Sequence, residues 1–439
     1  MTYEHLQTHF KNLIDNSPMS KFQMIIVAIC FILNMNDGID VLVVSFSGSE
    51  ITKEWGLSKT ELGYVFSAGL AGMTLGAFFL APLGDKIGRR KVFIMALSFI
   101  SVGMLLVAVC TDYYQLLILR LITGMGVGGV LPTMAATASE FSNDKNRDFN
   151  VGLVQAGWPI GAILTGFFCA YTIPTFGWRY AFLLAGVVSF IMLIGVFIYM
   201  TDSLEFLGKQ QPPNAKQRIN NLLNKMGHEG IEVLPPKPII GTRTPISTLF
   251  TPAYANSTFK LWTAIFFGFL TLYTLMSWIP NIAKEAGLPF EMATYVGIAL
   301  NIGAAIGTTV LGMVAGKWGL KKTVFSFMLC SFVIMIIYGN ISLTTSLIFI
   351  MIFLIGIFVQ GGFNGIYPTM ARVYDTEIRT TGVGFSVGVG RFGAILGPTL
   401  FGMLSDAGIS TATLFSLFSV PLLITGFCIY HLKSKNLSK

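Results

Sequence analysis

The chain has 439 residues, of which 53% are hydrophobic and 11% are charged, and its formal net charge is +8. Soluble proteins carry about 25% charged residues, so this composition excludes a water-soluble globular protein. A membrane-spanning helix needs ~20 apolar residues, and about twelve such helices would use an apolar fraction of this size. Apolar residues occupy every face of runs such as 22–33 and 325–337, which excludes the alternating pattern of a β-barrel. We therefore predict an all-α membrane protein.

Twelve apolar segments follow one another along the chain. The first six lie near 22–47, 59–82, 91–111, 114–141, 149–172 and 178–200. The other six lie near 260–282, 292–315, 322–341, 344–372, 380–404 and 409–431. The first twenty residues contain no apolar core followed by a small-residue cleavage site, so we expect the first segment to be kept as a span. We predict two six-helix halves, 1–200 and 260–439, joined by a connector at 201–259 that forms a short surface helix over 214–226.

Basic residues are distributed unequally between the two sides of the predicted membrane protein. Of the 29 lysines and arginines, 23 lie at the termini, in the connector and in the loops on the same side. The opposite side carries four, namely Lys53, Lys59, Arg179 and Lys284. The positive-inside rule therefore predicts a multi-pass protein of the plasma membrane, expected to be a bacterial inner membrane, with both termini in the cytoplasm. Because the positive charge is scattered over short loops, it indicates no nucleic-acid partner.

Short segments recur in the same order in both halves. Three pairs match at offsets of 231 to 236 residues, namely 84–91 with 316–322, 132–134 with 368–370, and 161–164 with 393–396. Three matches at nearly one offset indicate that the halves arose by duplication. Two six-helix repeats in the same orientation are the plan of a transporter whose halves rock about a substrate site near mid-membrane.

The motifs resemble those of the major facilitator superfamily over essentially the whole chain. The segment 84–91 is similar to its cytoplasmic signature, and Arg120-x-x-x-Gly124-x-x-x-Gly128 is similar to its fourth-helix signature. Asp37-Gly38-x-Asp40 and Gly390-Arg391-x-Gly393-Ala394 resemble the aromatic acid/proton symporter family, and organic-acid, sialic-acid and nicotinate carriers share parts of both patterns. The resemblance implies the major facilitator fold with twelve transmembrane helices, and a protein that acts as a monomer.

Two acids lie in the middle of the first span. Asp37 and Asp40 are three residues apart and therefore project from roughly the same helix face. A charge at this depth costs about 2.5 to 3.5 kcal/mol, which favours a watery cavity or a charged partner over lipid. We predict a proton or substrate role for at least one of them, with a structural ion pair as the alternative. The resemblance associates Arg120 with proton coupling, and a static brace against a span-one carboxylate is the alternative for that residue.

Arg391 is the only charged residue in the eleventh span. A guanidinium can grip a planar carboxylate through two parallel hydrogen bonds, so we predict that Arg391 binds an organic anion. The alternative is that it pairs with Asp37 or Asp40 and does not touch the substrate. Other polar or aromatic residues at mid-span depth complete the predicted substrate site together with Asp40, although each could instead form an interhelical hydrogen bond or a core contact: Gln155, Trp158, Tyr273, Asn301, Gln360, Asn364 and Tyr367.

The loop at 84–91 is predicted to act as a gate. Asp85 would accept hydrogen bonds from a helix N-terminus, while Arg89 and Arg90 would reach acids on the neighbouring helix and so hold one conformation. The second copy has Gly316 where Asp85 aligns, so its latch should be weaker or built differently. The predicted gating residues are Gly84, Asp85, Gly88, Arg89 and Arg90.

These observations predict a proton-coupled secondary transporter that imports a small organic anion, with an aromatic or similarly apolar monocarboxylate as the expected substrate. No Gly-x-x-x-x-Gly-Lys-Ser/Thr loop occurs, so the proton gradient is the expected energy source. The five cysteines lie in apolar stretches, are odd in number and show no paired spacing, so neither a metal nor a cofactor is expected. The alternatives are a proton-driven exporter of drugs or metabolites, including siderophore-like acids, and a membrane sensor without transport. An enzyme is not predicted, because no set of nucleophile, base or metal ligands lies on the spans.

Overall fold

The computed structural model describes residues 3–234, 236–237, 246–341 and 344–432. The first ten helices are α1 (Tyr3–Asn16), α2 (Lys21–Trp55), α3 (Lys59–Phe79), α4 (Gly84–Ile87), α5 (Arg89–Val107), α6 (Tyr113–Glu140), α7 (Asp144–Phe176), α8 (Trp178–Tyr199), α9 (Leu204–Gln210) and α10 (Ala215–Met226). The others are α11 (Ala255–Glu285), α12 (Phe290–Trp318), α13 (Leu320–Asn340), α14 (Thr345–Asn364), α15 (Ile366–Val373), α16 (Thr376–Asp406) and α17 (Thr411–Tyr430). Short 3-10 helices lie at Ala81–Leu83 and Ile246–Phe250.

Twelve helical segments of the described chain are long and apolar enough to cross a membrane, which confirms the twelve predicted spans. The first of them ends at Trp55 and the seventh begins at Ala255, so both are longer than the apolar pattern predicted. The helix α10 lies where a surface helix was predicted, whereas α1 and α9 were missed. Residues 235 and 238–245 of the connector lie outside the described residues, and the limits of the connector stay a prediction.

Polar side chains fix the ends of the first two spanning helices. Ser20 accepts a hydrogen bond from the backbone N–H of Gln23, whose side chain accepts one from the backbone N–H of Ser20. Ser58 and Glu61 form the same reciprocal capping box at the start of α3. Between these two starts, α2 ends at Gly56, whose φ of 66° lies in the left-handed region that favours glycine. These local signals set the length of α2.

The two halves repeat the same close approaches between helix backbones. In α7, a Cβ added to Gly161 would lie 2.1 Å from the carbonyl oxygen of Met35 in α2. In α16, a Cβ added to Gly393 would lie 2.0 Å from the carbonyl oxygen of Phe266 in α11. Because only a residue without a Cβ allows this approach, the duplicated glycines set the same helix spacing twice. The structure confirms the predicted fold class of two pseudo-symmetric six-helix halves.

The halves are joined at one end. The helices α3 and α16, α7 and α12, and α2 and α11 pack in pairs across the interface. At the start of α3, the backbone N–H groups of Lys59 and Thr60 donate to Asp406 at 3.1 and 2.7 Å, and Lys59 Nζ lies 2.7 Å from Glu285 Oε2. We call this the linked end. Between residues that the structure describes, the hydrogen bonds that join the halves all lie from this end to mid-helix depth.

A proline in α11 creates one of these links. Pro280 has no N–H, so the carbonyl of Met276, four residues earlier, lacks its usual helical donor. Ser45 of the other half supplies that donor, because its Oγ lies 2.8 Å from the Met276 oxygen. Asn281 returns a hydrogen bond from Nδ2 to the Ser45 carbonyl at 3.1 Å. The linked end therefore satisfies backbone groups that neither half satisfies alone.

Candidate functional site

The middle of α2 is held against α7 by one amide and one glycine. Pro159 leaves the carbonyl of Gln155 without its helical donor, and Asn34 Nδ2 donates to that carbonyl at 3.3 Å. One turn further along α2, a Cβ added to Gly38 would lie 2.4 Å from the Trp158 carbonyl oxygen. These contacts fix the rotation of α2 about its axis. They explain why the polar stretch around residue 38 faces the protein interior.

Asp40 forms a buried ion pair with Arg120 of α6. Arg120 Nη1 lies 3.1 Å from Asp40 Oδ1, and the two side chains are 3% and 1% exposed. The guanidinium also donates to Thr123 Oγ1 at 3.3 Å. Gly69 of α3 makes room for it, since a Cβ there would lie 2.9 Å from Arg120 Nη2. Both charges of this pair belong to the N-terminal half.

Asp37 has no such partner. Its side chain is 2% exposed, and neither carboxylate oxygen has a hydrogen-bond partner within the described part of the chain. A buried acid without hydrogen bonds carries a large desolvation cost, so such a group is usually retained for function. Asp37 lies within electrostatic range of Asp40 on its own helix and of Arg391 in the other half. Asp37 is therefore a buried carboxylate of α2 that forms no described hydrogen bond.

Arg391 projects from the middle of α16 toward α11. Its Nη1 donates to the Tyr273 hydroxyl at 3.3 Å, and its Cζ lies 5.4 Å from the centre of the Phe269 ring. Gly390 allows this approach, because a Cβ there would lie 2.4 Å from the same ring. The side chain is 6% exposed, and none of the described carboxylates forms an ion pair with it. The structural pair predicted as the alternative, with Asp37 or Asp40, is absent from the described contacts.

Aromatic rings surround this guanidinium. The rings of Phe269 and Tyr273 stack with centroids 5.4 Å apart, and Phe269 contacts Phe363 at 4.7 Å. Phe363 in turn meets Tyr367 edge-on at 5.7 Å. Both tyrosines were predicted for the substrate site, whereas both phenylalanines were missed. The missed signal is spacing, because each phenylalanine precedes its tyrosine by four residues and so lies on the same helix face. We call these four residues the aromatic cluster.

The amides predicted for the site form their described hydrogen bonds with residues other than Arg391. Asn301 is buried and donates to the Gly297 carbonyl of its own helix at 2.9 Å. Gln360 donates to Asn364 at 3.2 Å, and Asn364 donates to Thr308 at 2.7 Å, which ties α14 to α12. No described hydrogen bond joins these amides to Arg391. In α7, the Gln155 side chain is exposed and Trp158 is half-buried against the core.

The loop at 84–91 makes its described contacts with the N-terminal half and with the start of the connector. Arg89 donates to Glu140 at 2.7 Å and lies 3.2 Å from the Asp85 carboxylate. The backbone N–H of Arg90 donates to Asp202 at 3.1 Å. The expected hydrogen bonds from a helix N-terminus to Asp85 are absent from the described contacts, because the halves are joined at the opposite end. In this conformation Asp85 of α4 pairs with Arg89 at the start of α5.

Two further features shape this loop. Gly88 has a φ of 103°, and a Cβ there would lie 2.3 Å from Asp202 Oδ1. Both the backbone conformation and the limited space therefore require glycine at this position. Gly84 is buried beside Arg89, whose Nη1 would lie 3.1 Å from an added Cβ. On α9, burial raises the pKa of Glu205, and the nearby Glu140 carboxylate raises it further. The loop therefore lies in a dense cluster of paired charges.

A metal centre has no ligands to build on here. Among the residues with described coordinates, no group of three His, Cys, Asp or Glu side chains could hold a metal ion. The chemistry that the site offers is a free carboxylate, a paired carboxylate, and a guanidinium beside aromatic rings. This combination suits proton exchange and the binding of an aromatic anion.

Comparisons with known proteins identify the family and the fold of this chain. The family model described as Major Facilitator Superfamily matches residues 26–304 and 261–438. A gallate transporter of Pseudomonas putida is 30% identical over 94% of this chain and 92% of its own length. A 4-hydroxybenzoate transporter of Acinetobacter baylyi is 29% identical over 95% and 93%, respectively. The solved structure of the Escherichia coli xylose transporter XylE in an inward open conformation has a TM-score of 0.74 at 15% identity, covering 94% of this chain and 98% of that one. These matches confirm the resemblance, and they confirm a multi-pass transporter in place of an enzyme.

Proposed function

Because this chain belongs to the Major Facilitator Superfamily, we propose that it imports a small aromatic monocarboxylate together with protons, by alternating access. The observation that carries the proposal is Arg391, a buried guanidinium beside aromatic rings that forms no ion pair within the described residues. A permanent charge at mid-membrane depth needs a counter-charge, and a bound carboxylate supplies one. The same chain acts as a monomer, with the lipid bilayer as its surroundings.

The aromatic part of the substrate follows from the rings beside the charge. A carboxylate on Arg391 places an attached ring next to Phe269 and Tyr273, where edge or offset stacking is favourable. The gallate and 4-hydroxybenzoate transporters among its relatives support this substrate class. Substrates of this kind are small, planar and singly charged. The exposed Gln155 and half-buried Trp158 face them from the other half in this proposal, and Gln360 and Asn364 extend the polar wall.

The proposed coupling divides the work between the two acids of α2. Asp37 exchanges the proton, because both of its oxygens lack described partners and Arg391 lies within electrostatic range. Asp40 holds Arg120 and keeps α2 docked on α6 while the proton moves. Substrate on Arg391 cancels the charge that would otherwise stabilise ionised Asp37. Protonation of Asp37 and binding of the anion therefore favour each other.

The side of the membrane to which this conformation opens follows from the charge asymmetry of the loops. With both termini in the cytoplasm, the linked end faces outward and the conformation is inward-facing. In the outward-facing state the 84–91 loop would become the joined end, with Asp85 meeting the other half. Asp85 is 55% exposed in its side chain, so it is accessible for that contact. Import then requires the linked end to open toward the outer solution.

Uptake into right-side-out vesicles tests this function. Labelled 4-hydroxybenzoate is supplied outside, with an inward proton gradient in one sample and a proton carrier that collapses the gradient in a matched sample. We expect accumulation only with the gradient, and no accumulation of the neutral amide 4-hydroxybenzamide. Movement of the acid out of loaded vesicles, with no gradient-driven uptake, would identify an exporter instead. Tight binding without movement in either direction would identify a sensor.

A further inference from the structure

A cavity separate from the proposed substrate site lies where α5 begins, under the connector helices α9 and α10. Its volume is about 190 Å³, far above the ~15 Å³ that one water molecule needs. Arg90 and Thr201 line it from the membrane half, and Arg218 and Lys225 line it from α10. A chemical group of several heavy atoms can enter a space of this size.

The charges around this cavity do not balance. Its lining contains the cations Arg90, Arg218 and Lys225 but only one carboxylate, that of Asp202. Asp202 is already engaged, because it pairs with Arg218 at 2.5 Å and accepts the backbone N–H of Arg90 at 3.1 Å. The Lys225 ammonium lies 5.2 Å from the Phe22 ring and forms no described ion pair. Two positive charges are left over in one cavity.

Two donors of the cavity lining are also unsatisfied. The Arg90 guanidinium donates from Nη2 to the Phe197 carbonyl at 2.6 Å, but its buried Nε has no partner among the described residues. The buried hydroxyl of Thr201 likewise lacks a partner there. Buried donors are nearly always satisfied in native proteins, so each such donor needs an explanation. An N–H donor and an O–H donor beside surplus positive charge indicate an anion with several acceptor oxygens.

We propose that this cavity binds a phosphate group. Phosphate offers acceptor oxygens in several directions, which suits a lining that carries guanidinium, ammonium and hydroxyl groups on different elements. The group can belong to a lipid headgroup or to free phosphate, since both present the same chemistry. Exposed Phe197 and Tyr199 at the end of α8 place the cavity at the membrane surface, within reach of headgroups. A bound phosphate would fasten α10 to the start of α5, next to the 84–91 loop.

Thermal unfolding of the purified full chain in a neutral detergent tests this site. The probes are short-chain phosphatidylglycerol, short-chain phosphatidylcholine and inorganic phosphate, each titrated separately. Lys225→Gln removes a cavity charge, and Thr201→Val removes the unsatisfied hydroxyl. The matched control is Lys216→Gln, which removes an exposed charge from the same helix α10 outside the cavity lining. A ligand that binds only the folded protein raises the unfolding temperature as its concentration rises.

We expect a phosphate-bearing probe to stabilise the wild type and Lys216→Gln equally, and to bind Lys225→Gln roughly tenfold more weakly, the scale of one charged hydrogen bond. Stabilisation by phosphatidylglycerol alone assigns the group to an anionic lipid, and stabilisation by inorganic phosphate assigns it to the free ion. Equal loss in Lys225→Gln and Lys216→Gln, or no stabilisation of the wild type by any probe, overturns the proposal. A measured loss in Lys225→Gln with wild-type behaviour of Thr201→Val also counts against the hydroxyl contact and this geometry.

Discussion

Two buried arginines, one in each half, differ in the partners of their guanidinium groups. Arg120 is 3% exposed and is neutralised by Asp40 at 3.1 Å, whereas Arg391 is 6% exposed and has only a tyrosine hydroxyl at 3.3 Å. The burial is nearly the same, so burial does not explain the difference. The N-terminal half carries the counter-charge of Arg120, whereas no described carboxylate pairs with Arg391. The comparison supports the proposal that the second half takes its anion from the substrate.

Duplication makes this contrast sharper. The glycine contacts of the two halves repeat at offsets of 231 and 232 residues, but the charges do not. At an offset of 231, Asp37 corresponds to Gly268 and Asp40 to Thr271. Thr271 is buried and satisfies a carbonyl of α17, Phe418, at 2.8 Å. The scaffold was therefore duplicated as a spacing of helices, while the acids of α2 are found in one half alone.

The largest effect is expected from breaking the pair in the N-terminal half. Asp40→Asn leaves Arg120 buried without its counter-charge, and removing one partner of a buried pair costs about 3 to 5 kcal/mol of stability. Asp37→Asn is the matched control on the same helix, and it should unfold like the wild type because no described partner loses a contact. Denaturation of the three proteins in detergent, followed by intrinsic fluorescence, measures both changes. Equal stability of the two variants would mean that the ion pair between Asp40 and Arg120 does not stabilise the protein.

The next largest effect is expected at Arg391. Arg391→Lys keeps the positive charge but loses the planar fork, so the affinity for 4-hydroxybenzoate should fall by about 1.5 to 3 kcal/mol. The affinity for 4-hydroxybenzamide should change much less, because the amide has no carboxylate for the fork. Calorimetry with both ligands and both proteins gives a coupling energy between the guanidinium and the carboxylate. A coupling energy near zero would return Arg391 to a structural role.

A smaller effect is expected from loosening the linked end. This change tests whether the difference between Arg120 and Arg391 is confined to one conformation. Asp406→Ala removes the acceptor of the first N–H groups of α3, and losing such a cap costs about 1 kcal/mol. The population should shift about fivefold toward the state that is open at this end. Distances between spin labels on α3 and α16 measure the shift. Asp112→Ala is the matched control, because Asp112 caps α6 within one half and should leave the distances unchanged.

The smallest effect is expected at the hydroxyl that orients Arg391. Tyr273→Phe keeps the ring stacked on Phe269 but removes the acceptor at 3.3 Å, a long hydrogen bond. The affinity for 4-hydroxybenzoate should fall by about 0.5 kcal/mol, or roughly twofold, at the low end for such bonds. In the Arg391→Lys background, Tyr273→Phe should cause no further loss of affinity, because the tyrosine hydroxyl acts by positioning the guanidinium. Additive losses in the double variant would show that the hydroxyl contacts the substrate directly.

The individual side-chain roles could be predicted only in part. The sequence placed Asp37, Asp40 and Arg391 at mid-span depth, because depth depends on position along a helix. It left open whether Arg391 pairs with an acid, and it predicted a capped helix N-terminus for Asp85. Both questions depend on which end of the molecule is joined. That is a property of the conformation, which no local pattern encodes.

The sequence by itself determined the twelve spans, their polar caps and the division into two halves, because apolar length, capping side chains and repeats are written along the chain. Tertiary structure decided which charges meet. Arg120 and Asp40 are 80 residues apart, and they pair because glycines set how closely the helices approach and how each helix is turned about its axis. The aromatic cluster arose in the same way, since Gly390 brings Arg391 over Phe269. Such contacts depend on rotations of a few tens of degrees, and packing fixes those rotations, since helical periodicity leaves them open.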